Sequence, residues 1–349
     1  MPYKESPYFE TPCLTEPLWR YMHIDKFMSM LYHQSLHFPN IHVFKDIYEG
    51  ALSVESLKAV YKTNLLDEQN TPIKQDKYFE STKNDIEKLS EGHEKKESLA
   101  QHHSFDTLLT TFSNHLMFCN GWFLSDNESH SMWAEYGDKL STSIAIQTTV
   151  GDLINSFPED NIYKRLGYAG ANLHTDLDSY KYNFHIGRVK YIDYENDHID
   201  GYERFWEINF TIPDNVLKLF YAPIMHKRNI YADEHEVRVV ISFESICDKF
   251  LDRVYTSNIP FYSHRIEHIG DSVAYINRYK DPDTFRVIDN VLRVKINLET
   301  LINEVVISPN LNGYYEVPLR KLMDDNNLNG GLVRTSRIEE VLEKVSLIE

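Results

Sequence analysis

The segment Ala232 to Ser245 reads ADEHEVRVVISFES, and it changes character halfway. It opens with Asp233, Glu234 and Glu236, then becomes the apolar run Val237, Val239, Val240 and Ile241, broken only by Arg238. In a strand, residues two apart share a side, so Glu234, Glu236 and Arg238 face one way. Carboxylates so placed can stabilise developing positive charge or move a proton, and a guanidinium can grip an oxyanion. The same three charges can instead form a ladder that only stabilises a sheet. Val240 continues that side and is apolar, which puts the carboxylates at a rim or cleft. An active-site rim and a structural ion pair both remain open.

Asp46 and Glu49 add two more carboxylates upstream. Together with Glu234 and Glu236 they are of the kind that holds magnesium in a metal-dependent nuclease. The lysine spacing expected of such a site is missing. The sixteen histidines lack recognised metal spacing, and the adjacent pair His102 and His103 would point about 100° apart on a helix. No metal is expected. G-x-G-x-x-G, Walker A, H-E-x-x-H, C-x-x-C and G-x-S-x-G are all absent, and only 13 glycines occur in 349 residues.

A net charge of −17 disfavours nucleic acid and anionic membrane surfaces as partners. At 42% hydrophobic and 13% aromatic the chain can build a large core. Cys13, Cys119 and Cys247 are far apart, as free thiols of a reducing compartment would be. The first residues carry neither a basic nor an apolar leader region, and no apolar run reaches the ~20 residues needed to span a bilayer. A cytoplasmic location is expected. Nothing in the sequence sets the oligomeric state.

The elements that must position these residues follow from periodicity. Pro2, Pro7, Pro12 and Pro17 mark residues 1–17 as an extended lead-in. Ile24, Phe27, Met28 and Leu31 share a helical face, and a short strand follows near Ser35. A charged helical excursion is expected over about 53–106. Strands are expected over Met117–Leu124, Thr142–Thr148, Phe184–Tyr194, HEVRVVISF, FRVIDNVLRVKINL and INEVVISP, with helices at Ser131–Gly137 and Val317–Asn326. A strand-like GGLVRTSRI and a C-terminal helix close the chain. Helices dominate the first third and strands the rest, without βαβ alternation. The expectation is an α+β fold: one domain over 18–349 with a mixed, mostly antiparallel central sheet.

Four segments resemble the bacterial domain-of-unknown-function family 2971. They are LWRYMHIDKFMSMLYHQSLHFPNIHVFKDIYEGAL with Arg20, Tyr21, Asp46 and Glu49; WFLSDNESHSMWAEYGD with Met132, Trp133 and Tyr136; Glu234-x-Glu236-x-Arg238; and the stretch from INEVVISP onward. Ile47 stands where the family has proline, and LSTSIAI where a glycine often precedes the strand. The motif order is also similar, more distantly, to ADP-ribosyltransferases of the DarT type. That resemblance implies NAD as substrate, with Glu236 beside the ribose and Glu234 orienting or deprotonating an acceptor. It implies Arg20 on the diphosphate, Ser141 to Ser143 bracing the catalytic strand, and Tyr21, Trp133 or Tyr136 stacked on nicotinamide. An NAD-dependent ADP-ribosyltransferase or NAD glycohydrolase, a toxin or defence effector with a protein target, is the function so implied. It requires Arg20 and Glu236 to share one cleft. The alternative is a non-catalytic sensor or interaction module, with the charged stretch at 64–104 as the partner surface and Glu236 in an ion-pair network.

Overall fold

β-Branched and aromatic residues are frequent in the strands of this chain, and seven strands of the described residues make one sheet. A computed structural model describes residues 3, 5–41, 44–61, 117–136, 143–158, 162–163, 180–181, 183–207, 218–242, 285–288, 291–309 and 315–338. The chain begins its regular structure with strand β1 (Pro17–His23) and helix α1 (Ile24–His33), followed by β2 (Ser35–Pro39) and α2 (Val54–Tyr61). Next come β3 (Met117–Leu124), α3 (His130–Tyr136), β4 (Ser143–Thr149) and α4 (Val150–Ser156). Two-residue strands β5 (Ile162–Tyr163) and β6 (Tyr180–Lys181) pair with each other and precede β7 (Asn183–Arg188) and β8 (Lys190–Ile192). The last group is β9 (His226–Arg228), β10 (Glu236–Ser242), β11 (Phe285–Ile288), β12 (Val291–Lys295), α5 (Leu298–Leu301), β13 (Glu304–Ile307), α6 (Glu316–Asp325) and β14 (Val333–Thr335).

The large sheet has the order β14-β13-β4-β1-β3-β10-β7. Every neighbouring pair in it is antiparallel except β13 with β14. The fold is therefore α+β with a mixed, mostly antiparallel sheet. Among the described residues, no helix is long and apolar enough to cross a membrane. One central strand departs from expectation: β1 precedes the first helix, so the described part of the first third carries as many strands as helices. Apart from α2, the charged excursion lies outside the described residues, as do Ser141, Thr142 and the terminal helix.

Strand parity divides the core. On the first face, Leu18 and Met22 of β1, Phe118 and Trp122 of β3, and Val237, Val239 and Ile241 of β10 join one apolar cluster. Helix α1 adds Phe27, Met30 and Leu31, α6 adds Leu319 and Met323, and the small sheet β11-β12-β2 adds Leu36, Phe38, Leu292 and Val294. The caps of these helices are local. His23 Nδ1 accepts from the Asp25 amide at the start of α1, and Thr149 Oγ1 accepts from the Asp152 amide at the start of α4. On the second face two smaller clusters stand apart. One holds Met117, Cys119 and Val240 with Tyr202, Phe205 and Phe220, and the other holds Trp19, Tyr21, Phe123 and Trp133.

The lead-in segment lies along the outer edge of β7. Tyr3 bridges Phe184, the Arg188 amide donates to Glu10 O at 2.9 Å, and Thr11 Oγ1 donates to Ile186 O at 2.7 Å. Behind them Phe157 stacks on Phe184 with ring centroids 4.0 Å apart and also faces Phe38. Phe157→Ala should therefore destabilise the fold by about 3–5 kcal/mol, read as a lower midpoint in urea unfolding.

Candidate functional site

Between the two clusters of the second face lies a lattice of charges, built around Arg238. On β10 this residue stands opposite Gly121 of β3 and Gly187 of β7. Neither neighbour has a side chain: the Glu236 carboxylate lies over Gly121, and Phe9 and Met225 lie over Gly187. Neither glycine could be replaced without conflict. A Cβ on Gly121 would lie 2.6 Å from Glu236 Oε1, and one on Gly187 would lie 2.8 Å from the Phe9 ring. The guanidinium is 1% exposed, and every direction it points in is answered. Its Nε donates to Glu236 Oε1 at 2.8 Å and its Nη2 to Glu236 Oε2 at 3.0 Å. Nη2 also donates to Glu49 Oε2 at 2.5 Å, and Nη1 donates to the Ile224 carbonyl at 2.5 Å.

A second cation completes the lattice. Lys227, on β9, extends its ammonium to Glu234 Oε2 at 2.5 Å, Glu236 Oε2 at 3.2 Å and Glu49 Oε1 at 3.4 Å. Lys227 Nζ also lies 4.8 Å from the centre of the Tyr231 ring. The Tyr191 hydroxyl accepts from the Glu236 amide at 2.8 Å, and Tyr136 donates to Glu234 Oε1 at 3.3 Å. Three carboxylates thus surround two cations. Beside them Arg228 Nε donates to Asp46 Oδ2 at 3.1 Å, with its guanidinium over Tyr48.

Electrostatics follow from burial against pairing. Burial alone would raise the Glu236 pKa, but Arg238 and Lys227 outweigh it and hold the carboxyl below its usual value. Burial lowers the Lys227 ammonium, and the carboxylates of Glu236 and Glu49 reverse this, for a net rise. Arg238 is shifted upward in the same manner, by Glu236 and Glu49 against burial. Glu234 goes the other way: burial raises it, and the Lys227 contact only partly offsets that. Adjacent carboxyls on one strand mouth are thereby driven apart in acidity.

The sequence-expected residues separate into groups. Glu234, Glu236, Arg238, Glu49 and Tyr136 converge on the lattice. Asp46 belongs to its neighbour Arg228. Glu234 itself lies in the 3-10 turn Asn229–Glu234, ahead of the strand that carries Glu236. Tyr21 and Trp133 pack edge to face at 4.8 Å inside the aromatic cluster, and the Tyr21 hydroxyl accepts from the Ser129 amide at 2.9 Å. They are core residues here and not an open stacking platform. Ser141 lies outside the described residues.

Arg20 is not part of this site. Leu18, Arg20 and Met22 share one side of β1, the first face, where the Arg20 guanidinium lies 5.7 Å from the Trp122 ring. Glu236 is on the second face, over Gly121. The sheet separates them, so Arg20 and Glu236 cannot line one cleft, and Arg20 pairs with neither Asp46 nor Glu49. Sequence reading also passed over Lys227, Gly121, Gly187 and Tyr191. A signal for Lys227 existed: the basic pair Lys227-Arg228 closely precedes the acidic run at Asp233. The glycines gave none, because their meaning depends on strand register.

Comparison with models of known protein families, with curated proteins and with solved structures finds no match to this chain.

Two outcomes test the lattice. Gly121→Ala should cost about 1–3 kcal/mol by overpacking, and much less in a Glu236→Ala background where the conflicting carboxylate is gone. Denaturant unfolding of the four proteins of this cycle measures the coupling. The acid limb gives the second. Because the folded Glu236 carboxyl lies below its unfolded value, its contribution is present above that unfolded value of about 4.3 and is lost as pH falls through the folded one. Stability measured from pH 6 down to pH 3 should fall more steeply for the wild type than for Glu236→Gln.

Proposed function

We propose that this chain is a non-catalytic sensor or protein-interaction module, with the charge lattice as a structural fastener. One observation carries the reading: Glu236 is held by Arg238 through both oxygens and by Lys227 through one of them. A carboxylate held between two cations has little charge left to offer a reacting ribose. The position of Arg20 across the sheet supports the same conclusion, because the residue suited to gripping a diphosphate is not near Glu236. The charged sequence over 64–104 is the partner surface in this proposal, on the strength of its composition.

A second reading keeps one specific support. Glu234 is raised and Glu236 lowered, and a pair of carboxyls split in this way is what general acid and stabilising base require. With the motif order noted above, this favours an NAD glycohydrolase or ADP-ribosyltransferase whose dinucleotide is held by residues other than Arg20.

Incubation with NAD separates the two. The full-length protein should release no nicotinamide above a protein-free blank, and a version lacking residues 64–104 should keep its fold by circular dichroism while losing its bound partner. Nicotinamide release by the wild type that Glu236→Gln abolishes would overturn the first reading in favour of the second.

A further inference from the structure

The second face also carries an open cleft of about 530 Å³, and no residue of the Glu236 lattice lines it. Small-molecule sites run from roughly 300 to 1,000 Å³, so the cleft is of ligand size. Its floor is a cross-strand row. Trp19 of β1 stands opposite Gln147 of β4, and Gln147 stands opposite Glu304 of β13. Arg334 of β14 pairs in register with Val306, so it points the same way as Glu304. The loop after β3 raises one wall with Asp126 and Glu128, and the residues after β14 raise another with Arg337 and Ile338.

Ion pairs hold these walls to the floor. Arg334 Nε and Nη2 donate to the two carboxylate oxygens of Glu304 at 2.6 and 2.8 Å, and Nη1 donates to Glu128 Oε1 at 2.6 Å. Ser336 Oγ donates to Glu128 Oε2 at 2.5 Å, and Trp19 Nε1 donates to the Ser125 carbonyl at 2.8 Å. The cleft is therefore pre-formed, which lowers the free-energy cost of filling it. Its lining then selects the occupant. Three carboxylates and two guanidiniums line it, an excess that opposes a polyphosphate, while a wholly apolar ligand would desolvate charges without answering them. Glu128, Glu304 and Arg334 neutralise one another and fix the shape. Asp126 and Arg337 are both exposed, so the walls offer solvent one charge of each sign. Trp19 and Ile338 add apolar surface, and Gln147 an amide able to donate and accept. A molecule matched to this set joins an ammonium, a carboxylate and an apolar group.

We infer that this cleft binds a free α-amino acid with an apolar side chain, its carboxylate on Arg337, its ammonium on Asp126 and its side chain against Trp19 and Ile338. This goes beyond the function proposed above and does not depend on it, since the cleft and the Glu236 lattice share no residue.

Equilibrium dialysis of the full-length protein against radiolabelled L-leucine and L-phenylalanine tests this. At least one should bind saturably, with half-saturation below about 1 mM. The amide of that amino acid lacks the carboxylate and its N-acetyl derivative lacks the ammonium, so each should compete about ten-fold more weakly than the parent. Arg337→Gln should weaken the parent about ten-fold and leave the amide unchanged, since the amide has no carboxylate to lose. Asp126→Asn should weaken parent and amide alike and leave the N-acetyl form unchanged. Both side chains are exposed, so both variants should keep the wild-type unfolding midpoint. Binding of neither amino acid overturns the proposal, and so does an amide or N-acetyl form that competes as well as its parent. Equal loss of all three ligands in either variant overturns the assigned contacts. None of these outcomes bears on nicotinamide release or partner capture, so the two readings fail separately.

Discussion

The bidentate grip of Arg238 on Glu236 is the contact around which the second face is arranged. It joins two residues of one strand, and the Glu236 carboxylate has room for it because β3 presents a glycine, Gly121, beneath it. The guanidinium then reaches Glu49 in the turn before α2 and the carbonyl of Ile224. Three regions distant in sequence are therefore tied to one side chain. Such a lattice is costly to desolvate, and its strength comes from having each charge answered. Lys227 matters for that reason. Without it, Glu234 and Glu49 would face each other and Glu236 as like charges in a poorly hydrated setting.

The parity of a strand is as decisive here as its composition. Residues two apart share a face, and a neighbour one step away points to the opposite face of the same sheet. Tyr21 and Arg20 are adjacent in sequence, yet one joins an aromatic cluster and the other lies over Trp122 on the opposite side. A motif read as a linear order of residue types carries no information about this. Motif order alone placed Arg20 with Glu236, and the sheet divides them.

Much of the scaffold was legible because periodicity is a local property. Met117–Leu124 was read with the bounds it has, and β4, β10, β13 and α6 lie within a residue or two of expectation. Strand β1 was missed because its sequence, PLWRYMH, has paired apolar residues on both faces and itself opens with the last of four spaced prolines. That is what a strand buried on both sides looks like, and alternation cannot reveal it. At the site, the paired carboxylates and Arg238 were legible as a rim charge cluster, since an apolar strand with a charged mouth is unusual. The roles of Lys227, Gly121, Gly187 and Tyr191 were not, because each depends on which strands are neighbours and in what register.

The lead-in segment has a meaning that its prolines conceal. β7 is the last strand of the large sheet, and an exposed last strand is an invitation to pair with another copy of the chain. Tyr3, Glu10 and Thr11 take up its outward groups, while Phe9 fills the hollow over Gly187. Tyr3, Phe9, Glu10 and Thr11 thus cover the outward border of β7. Without them the backbone groups of that border would stand open to another strand, so the cover of β7 comes from a part of the chain far from it in sequence.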